Sequence, residues 1–284
     1  MLNVIGIGEL LWDLLPEGKK LGGAPCNFVY HANKLGASSR ILSAVGSDEM
    51  GREILETIKR KNLSTDLIQI NDNPTGTVDV KLNSIGVPKY FIHQDVAWDF
   101  LYFDENAVDM VNNADIVCFG SLAQRNARSR ETICQFLNLC KSDALIIFDI
   151  NIRQTFYNKG IIENSLHFCN VLKMNEEEFP IVCNLINLKG EDLDSKVKEL
   201  MQKYNLKLLA FTKGMQGSIL YTTTKKSEMP TPKIDVKDTV GAGDSFAAAM
   251  AIGFVNKLPL RSLHEKAIEI ASFVCESNGS MPYY

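Results

Sequence analysis

The sequence predicts an α/β fold, with a mainly parallel central sheet and helices on both faces. Short β-rich runs alternate with amphipathic segments of helical spacing through most of the chain, the signature of strand–helix–strand units. One stretch, Pro74 to His93, breaks that alternation with two strands of period-two polarity, and so adds a β-hairpin. The 284 residues are 45% hydrophobic with only 9 prolines, enough for a substantial core without a disulfide staple. No repeat, low-complexity stretch or Pro/Gly/Ser linker divides them, so one domain over 1–284 is expected, with the hairpin as an appendage.

Taken in order, Val4 to Ile7 and Arg40 to Val45 read as strands. Asp48 to Lys61 follows as a helix with Met50, Ile54, Leu55 and Ile58 on one face. The hairpin turns at Ser84-Ile85-Gly86, as an edge addition or as a flap over a site. Asp115 to Phe119 and Leu145 to Ile150 are strands around the helix Arg128 to Lys141, which aligns Ile133, Phe136, Leu137 and Cys140. Val171 to Met174, Leu208 to Thr212 and Ser218 to Tyr221 complete the strand set. The helix Asp192 to Tyr204, with Leu193, Val197 and Leu200, lies among them.

A net charge of -4 with no basic block excludes nucleic acid and an anionic membrane as main partners. The N-terminus lacks a basic region and carries Glu9 and Asp13, so a signal peptide is not expected. The longest apolar run, Phe246 to Val255, is half a membrane span. Seven scattered cysteines, without C-x-x-C or zinc spacing, read as reduced core thiols of a cytoplasmic protein.

The chemistry concentrates in D-T-V-G-A-G-D-S-F-A-A-A-M, Asp238 to Met250. Gly241 and Gly243 bracket Ala242 and feed a helix-forming run, so a glycine turn opens onto a helix N-terminus whose free N–H groups attract an anion. Asp244 falls in that first turn. A lone Asp there merely complements the helix dipole; beside an anion cradle it also suits deprotonation of a hydroxyl that attacks a phosphoryl group. Asp13 follows the first strand, where open α/β sheets place ligands, and can accept hydrogen bonds from vicinal hydroxyls or serve as surface charge. Asn151 and Arg153, two apart after a strand, point to one side if the extended conformation continues.

D-T-V-G-A-G-D resembles the second signature of the PfkB carbohydrate kinase family. L-G-G-A-P-C-N-F at Leu21 to Phe28, K-L-G-A at Lys34 to Ala37 and A-V-G-S-D-E-M-G at Ala44 to Gly51 resemble its first. G-E-L-L-W-D at Gly8 to Asp13 is similar to the opening of the fructokinase branch. F-D-I-N-I-R at Phe148 to Arg153, N-E-E-E at Asn175 to Glu178 and T-K-G-M-Q-G at Thr212 to Gly217 follow in the family's order. The resemblance covers nearly the whole chain. It implies the ribokinase-like three-layer fold, with a small β-sheet lid built from segments near 11–22 and 74–100 that excludes water and often serves as a dimer interface.

Position by position, the resemblance implies Asp244 as general base, with the N–H groups of Gly241, Ala242 and Gly243 stabilising the transferred γ-phosphoryl group of ATP and Thr239 helping to hold the loop. It implies sugar contacts at Asp13, Gly22, Gly23, Asn27, Asn151 and Arg153. Thr212, Gly214 and Gly217 would approach the nucleotide, and Asn278 with Gly279 would close the adenine pocket. Asn175 and Glu178 would place Mg²⁺ through water, although an acidic helix start explains Glu176 to Glu178 as well. Asp238 and the Val240 carbonyl match the positions at which some kinases of the fold hold K⁺.

The fructokinase features imply fructose as acceptor; ribokinase, 2-keto-3-deoxygluconate kinase and nucleoside kinase share most of the parts. A non-catalytic sugar or nucleotide sensor is the rival from another class, disfavoured by the presence of Asp244, Gly241 and Gly243. A dinucleotide fingerprint fails because Leu11 replaces its third glycine, and no G-K-[ST] phosphate loop is present.

Overall fold

The computed structural model describes residues 1–16, 18–82 and 88–284. In chain order the elements are β1 (Asn3–Ile7), β2 (Leu11–Leu15), β3 (Gly18–Gly22), α1 (Ala24–Lys34), β4 (Ser38–Gly46), α2 (Glu49–Arg60), β5 (Ile68–Asn71), β6 (Gly76–Leu82) and β7 (Pro88–Ile92). Then come α3 (Val108–Asn112), β8 (Ile116–Phe119), α4 (Ala127–Leu139), β9 (Leu145–Asp149), α5 (Lys159–Phe168), β10 (Val171–Asn175), α6 (Glu178–Leu185) and α7 (Leu193–Lys203). The chain closes with β11 (Leu208–Thr212), β12 (Ser218–Thr222), β13 (Lys226–Met229), α8 (Ala242–Val255) and α9 (Leu260–Cys275).

Among the described residues the larger sheet has nine strands in the order β13-β12-β11-β10-β9-β8-β1-β4-β5, parallel from β11 to β5 with β12 and β13 antiparallel at one edge. Period-two alternation splits its side chains between two cores. Ile5, Ile7, Val117, Phe148 and Leu172 pack on one face with Ile133 and Phe136 of α4, Ile162 of α5, Val182 of α6 and Val197 of α7. Val4, Ile41, Ile147 and Val171 pack on the other with Phe28 of α1, Ile58 of α2, Ala248 of α8 and Leu263 of α9.

Helix α8 is apolar nearly all round because it is buried nearly all round, which accounts for the run Phe246 to Val255. Among the described residues no helix is long and apolar enough to cross a membrane. All seven cysteines are free thiols.

A second sheet of four strands, β3-β2-β6-β7, is made by residues near 11–22 and 76–92. Strand β2 pairs antiparallel with β3 and parallel with β6, and β6 pairs antiparallel with β7, so the two segments interlock. The expected turn at Ser84-Ile85-Gly86 lies outside the described residues.

Because β1, β8, β9, β10 and β11 run parallel, the segments that leave them emerge along one edge of the large sheet. Those segments carry Glu9, Asn151 with Arg153, Asn175 with Glu178, and Thr212 with Gly214.

Candidate active site

Gly241 caps α8 at φ 81°, a left-handed conformation that a side chain resists, and a Cβ there would stand 2.6 Å from Ser280 Cβ. The turn therefore requires glycine for both conformation and space. The Ala242 N–H donates to the Thr239 carbonyl at 3.3 Å, so the first-turn groups with no intrahelical acceptor are those that follow it, at Gly243 and Asp244. Asp244 Oδ2 accepts a hydrogen bond from Asn27 Nδ2 at 2.7 Å, tying α8 to the first turn of α1.

Beneath this turn lies a pair that sequence reasoning missed. Lys173 Nζ contacts both Asp149 oxygens, at 2.8 and 2.9 Å, and both side chains are buried. The two residues are register partners on β10 and β9. A Cβ on Gly243 would stand 3.2 Å from Lys173 Nζ, so the ammonium faces the helix start and reinforces the positive end of its dipole. Burial pushes the Lys173 pKa down, but the charges of Asp149, Glu178 and Asp244 outweigh it and hold the group protonated. The available signal was a charged residue inside each of the apolar runs Leu145–Asp149 and Val171–Asn175.

Asp244 keeps partial solvent access. Its pKa is raised to about 6, first by burial and next by the Asp149 charge, against the lowering influence of Lys173, the Asn27 bond and Arg153. As a general base Asp244 would work only as the carboxylate, so its activity would be complete above the raised pKa and fall as pH drops through it. We expect kcat/KM to decline below about pH 6, where an ordinary aspartate would stay active to about pH 4. A pH–rate profile flat down to pH 5 would remove Asp244 as the base.

Asp13 lies half-buried on β2, with its pKa raised to about 6, first by burial and against the charges of Arg153 and Lys20. A Cβ on Gly22 would stand 2.5 Å from the Asp13 carboxylate, so that glycine makes room for the side chain across the strand pair. Gly23, at φ 110° against the Glu9 carbonyl, is needed by the chain itself to enter α1.

The expectation that Asn151 and Arg153 share one side through continued extension is corrected. Asn151 sits at φ 51°, so the strand geometry ends there and the period-two argument does not apply. Arg153 still comes to the site because the chain reverses: its carbonyl accepts from Phe156 N, and its charge acts on Glu9, Asp13 and Asp244 together. Glu9, absent from the expected set, is buried in this cluster.

Asn175 Oδ1 accepts from the N–H groups of Glu177 and Glu178, at 2.9 and 2.8 Å, which ties the end of β10 to the turn that leads into α6. Both Glu178 oxygens accept main-chain bonds, from Ile152 N and Asn175 N at 2.9 Å. Burial first, with Asp149, raises the Glu178 pKa against Lys173. This donor set suits an outer-sphere role toward a hydrated hard cation, since the inner positions already hold N–H groups. Among the described residues no cluster of three or more His, Cys, Asp or Glu is placed to hold a metal directly.

Asp238 ties its own loop together. Its Oδ1 accepts from Val240 N at 3.0 Å and its Oδ2 from Gly279 N at 3.1 Å. Thr212 ends β11, its carbonyl accepting from Glu176 N, and Gly214 and Gly217 form the tight turn into β12. Gly217 is buried against the Met229 carbonyl, whereas Gly214 and Asn278 are exposed.

Residues 17–283 match the pfkB family of carbohydrate kinases. An uncharacterized sugar kinase from Pyrococcus horikoshii is 29% identical over 98% of this chain and 91% of its own. Its solved structure has a TM-score of 0.84, covering 98% of this chain and 93% of that one, and a second structure of it, in complex with ATP, has a TM-score of 0.82. A fructokinase from Salmonella typhimurium is 27% identical over 86% of this chain and 81% of its own. A fructokinase from Xylella fastidiosa, at 21% identity and a TM-score of 0.85, shares the fold, covering 99% of this chain and 94% of its own.

Proposed function

The chain belongs to the pfkB family of carbohydrate kinases, and from that premise we propose that it transfers the γ-phosphoryl group of ATP to a hydroxyl of fructose, with Asp244 as general base. The observation that carries this reading is the Asp244 carboxylate, held by Asn27 at the first turn of α8 beside the buried Lys173 ammonium. A base and an anion cradle there stand next to each other, which is the arrangement that phosphoryl transfer to an alcohol needs. Gly241 shapes the cradle, and the N–H groups of Gly243 and Asp244 would line its mouth, the expected Ala242 N–H being taken up by the Thr239 carbonyl.

The proposed steps use this chain's own groups. A sugar hydroxyl loses its proton to Asp244 as its oxygen attacks the γ-phosphorus. The bond to the β,γ-bridging oxygen breaks, and the charge moving onto the phosphoryl oxygens meets the α8 N–H groups and Lys173. Mg²⁺, when bound, neutralises phosphate charge; Asn175 and Glu178 would hold its waters. K⁺ at Asp238 and the Val240 carbonyl would stiffen the same loop. Thr212, Gly214, Gly217 and Asn278 form the nucleotide side, and Asp13, Gly22, Gly23, Asn27, Asn151 and Arg153 the sugar side. The four-stranded sheet acts as the lid, and exposed Tyr90 and Phe91 on β7 support its use as a homodimer interface. Free thiols throughout fit a cytoplasmic enzyme.

Charge favours a neutral sugar over its relatives. The carboxyls of Glu9, Asp13, Asp149, Asp238 and Asp244 outnumber the Arg153, Lys20 and Lys173 cations that act on them, so a carboxylated or phosphorylated sugar meets net repulsion. Trp98 is fully buried, which removes it as a stacking platform for a nucleoside base. With Mg·ATP and a panel of fructose, ribose, 2-keto-3-deoxygluconate, fructose 6-phosphate and adenosine, ADP release is expected to be fastest with fructose and at least about tenfold slower with the two anionic sugars, a discrimination of about 1.4 kcal/mol. An acidic sugar as the best substrate would overturn the charge argument, and adenosine would overturn the sugar assignment.

A further inference from the structure

Glu9 follows β1 at the ligand edge of the large sheet and is 4% exposed. Its Oε1 accepts from Ala24 N at 3.2 Å, at the start of α1, while among the described residues its Oε2 has no hydrogen-bond partner. One turn further along the same face of α1 is Asn27, also 4% exposed. Its Nδ2 is engaged by Asp244, and its Oδ1 likewise has no partner among the described residues. Buried acceptors are normally paired, because desolvation without a hydrogen bond is costly. Here two of them belong to residues that flank Ala24 and the general base.

We propose that Glu9 is a further substrate-binding residue, its Oε2 accepting a hydrogen bond from a sugar hydroxyl that neighbours the reacting one, with Asn27 Oδ1 accepting from another. The inference rests on the reading of Asp244 as the base that meets the sugar. An acceptor pair of this kind recognises a neutral polyol with adjacent hydroxyls, since each hydroxyl brings a proton to donate. Helix capping alone does not explain Glu9: one oxygen satisfies Ala24 N, and the second, also buried, has no hydrogen-bond partner among the described residues.

The electrostatic surroundings agree. The charged and titratable groups around Glu9 are Arg153 from the loop after β9, Asp244 from α8, Cys26 from α1 and Cys118 from β8. Burial raises the Glu9 pKa to about 7, opposed by its own and the Ala24 N–H groups and by Arg153. A carboxyl held so close to neutrality is drawn to the carboxylate form by a hydroxyl that donates to it.

The test compares wild type with Glu9→Gln and Glu9→Ala, using whichever neutral sugar of a set of fructose, ribose, glucose and mannose the wild type phosphorylates fastest. The Gln variant keeps an oxygen for Ala24 N but replaces the free acceptor with an NH₂ donor. We expect the sugar KM to rise about tenfold or more in both variants, the ATP KM to stay within about twofold, and the melting temperature of the Gln variant to equal or exceed that of wild type. A sugar KM within about twofold of wild type in both variants overturns the proposal, as does an equal rise in both KM values. A lower melting temperature for the Gln variant with an unchanged sugar KM reduces Glu9 to a helix cap and overturns it too. Preference of the wild type for a neutral sugar other than fructose counts against the proposed substrate alone, because the comparison at Glu9 is made on the preferred sugar.

Discussion

Asp244→Asn is expected to lower kcat by about 10²- to 10⁴-fold while ATP and sugar still bind, because the variant keeps the shape of the site and loses only the proton acceptor. The Asn27 Nδ2 contact at 2.7 Å places Oδ2 at the mouth of the first turn, and an amide oxygen can retain that bond. What an amide cannot do is take the hydroxyl proton as the oxygen attacks phosphorus. The loss should therefore appear in kcat and kcat/KM together, with binding constants from calorimetry close to wild type. The acid limb expected below about pH 6 should vanish from the residual rate, since the group whose pKa produces it is gone. A variant with more than a tenth of the wild-type kcat would end the general-base assignment.

Lys173→Met is expected to destabilise the fold by about 3–5 kcal/mol, the usual consequence of leaving one member of a buried ion pair unpaired. Both side chains are less than a tenth exposed, and the ammonium contacts both carboxylate oxygens at 2.8 and 2.9 Å. Without it, Asp149 is stranded beside Asp244 and Glu178. One of the influences that lower the pKa of Asp244 disappears while that of Asp149 remains, so any surviving activity should have its acid limb at higher pH. The double variant Lys173→Met/Asp149→Leu separates the two roles. It should recover most of the stability, because a buried pair replaced by apolar groups is often neutral, but not the rate, because the cradle has lost its cation. Chemical denaturation with a kcat measurement on the three proteins decides it. A single variant within about 1 kcal/mol of wild type would show that the pair contributes little, as exposed pairs do.

Much of the site was legible because it is written in local patterns. Gly241, Ala242, Gly243 and Asp244 stood out as a glycine turn opening a helix, and α8 begins at Ala242. Asp13, Asn27 and Arg153 were placed by their position after strands or at a helix start. Asn175 and Glu178 were legible only as alternatives, an acidic helix start or a cation holder. The structure puts Asn175 on two main-chain N–H groups before α6 and both Glu178 oxygens on main-chain N–H groups. Gly22 and Gly23, read as openings for the sugar, are accounted for locally by the Asp13 carboxylate and the Glu9 carbonyl. Strand β13, the half-exposed K-S-E-M, was too short and polar to read as a strand, since a polar edge strand is held mainly by its neighbour.

By itself, the sequence determined the alternation of strands and helices, and from it a mainly parallel sheet with helices on both faces. These follow from side chains two, three or four positions apart along the chain, whose burial is set by periodicity alone. Only the tertiary structure decided which distant groups would meet. Asn27 reaches Asp244 across 217 positions, and Lys173 meets Asp149 because β10 lies beside β9 in that register. Strand order and register come from the packing of the whole chain, and a shift of one residue in either strand would send the lysine and the aspartate to opposite faces.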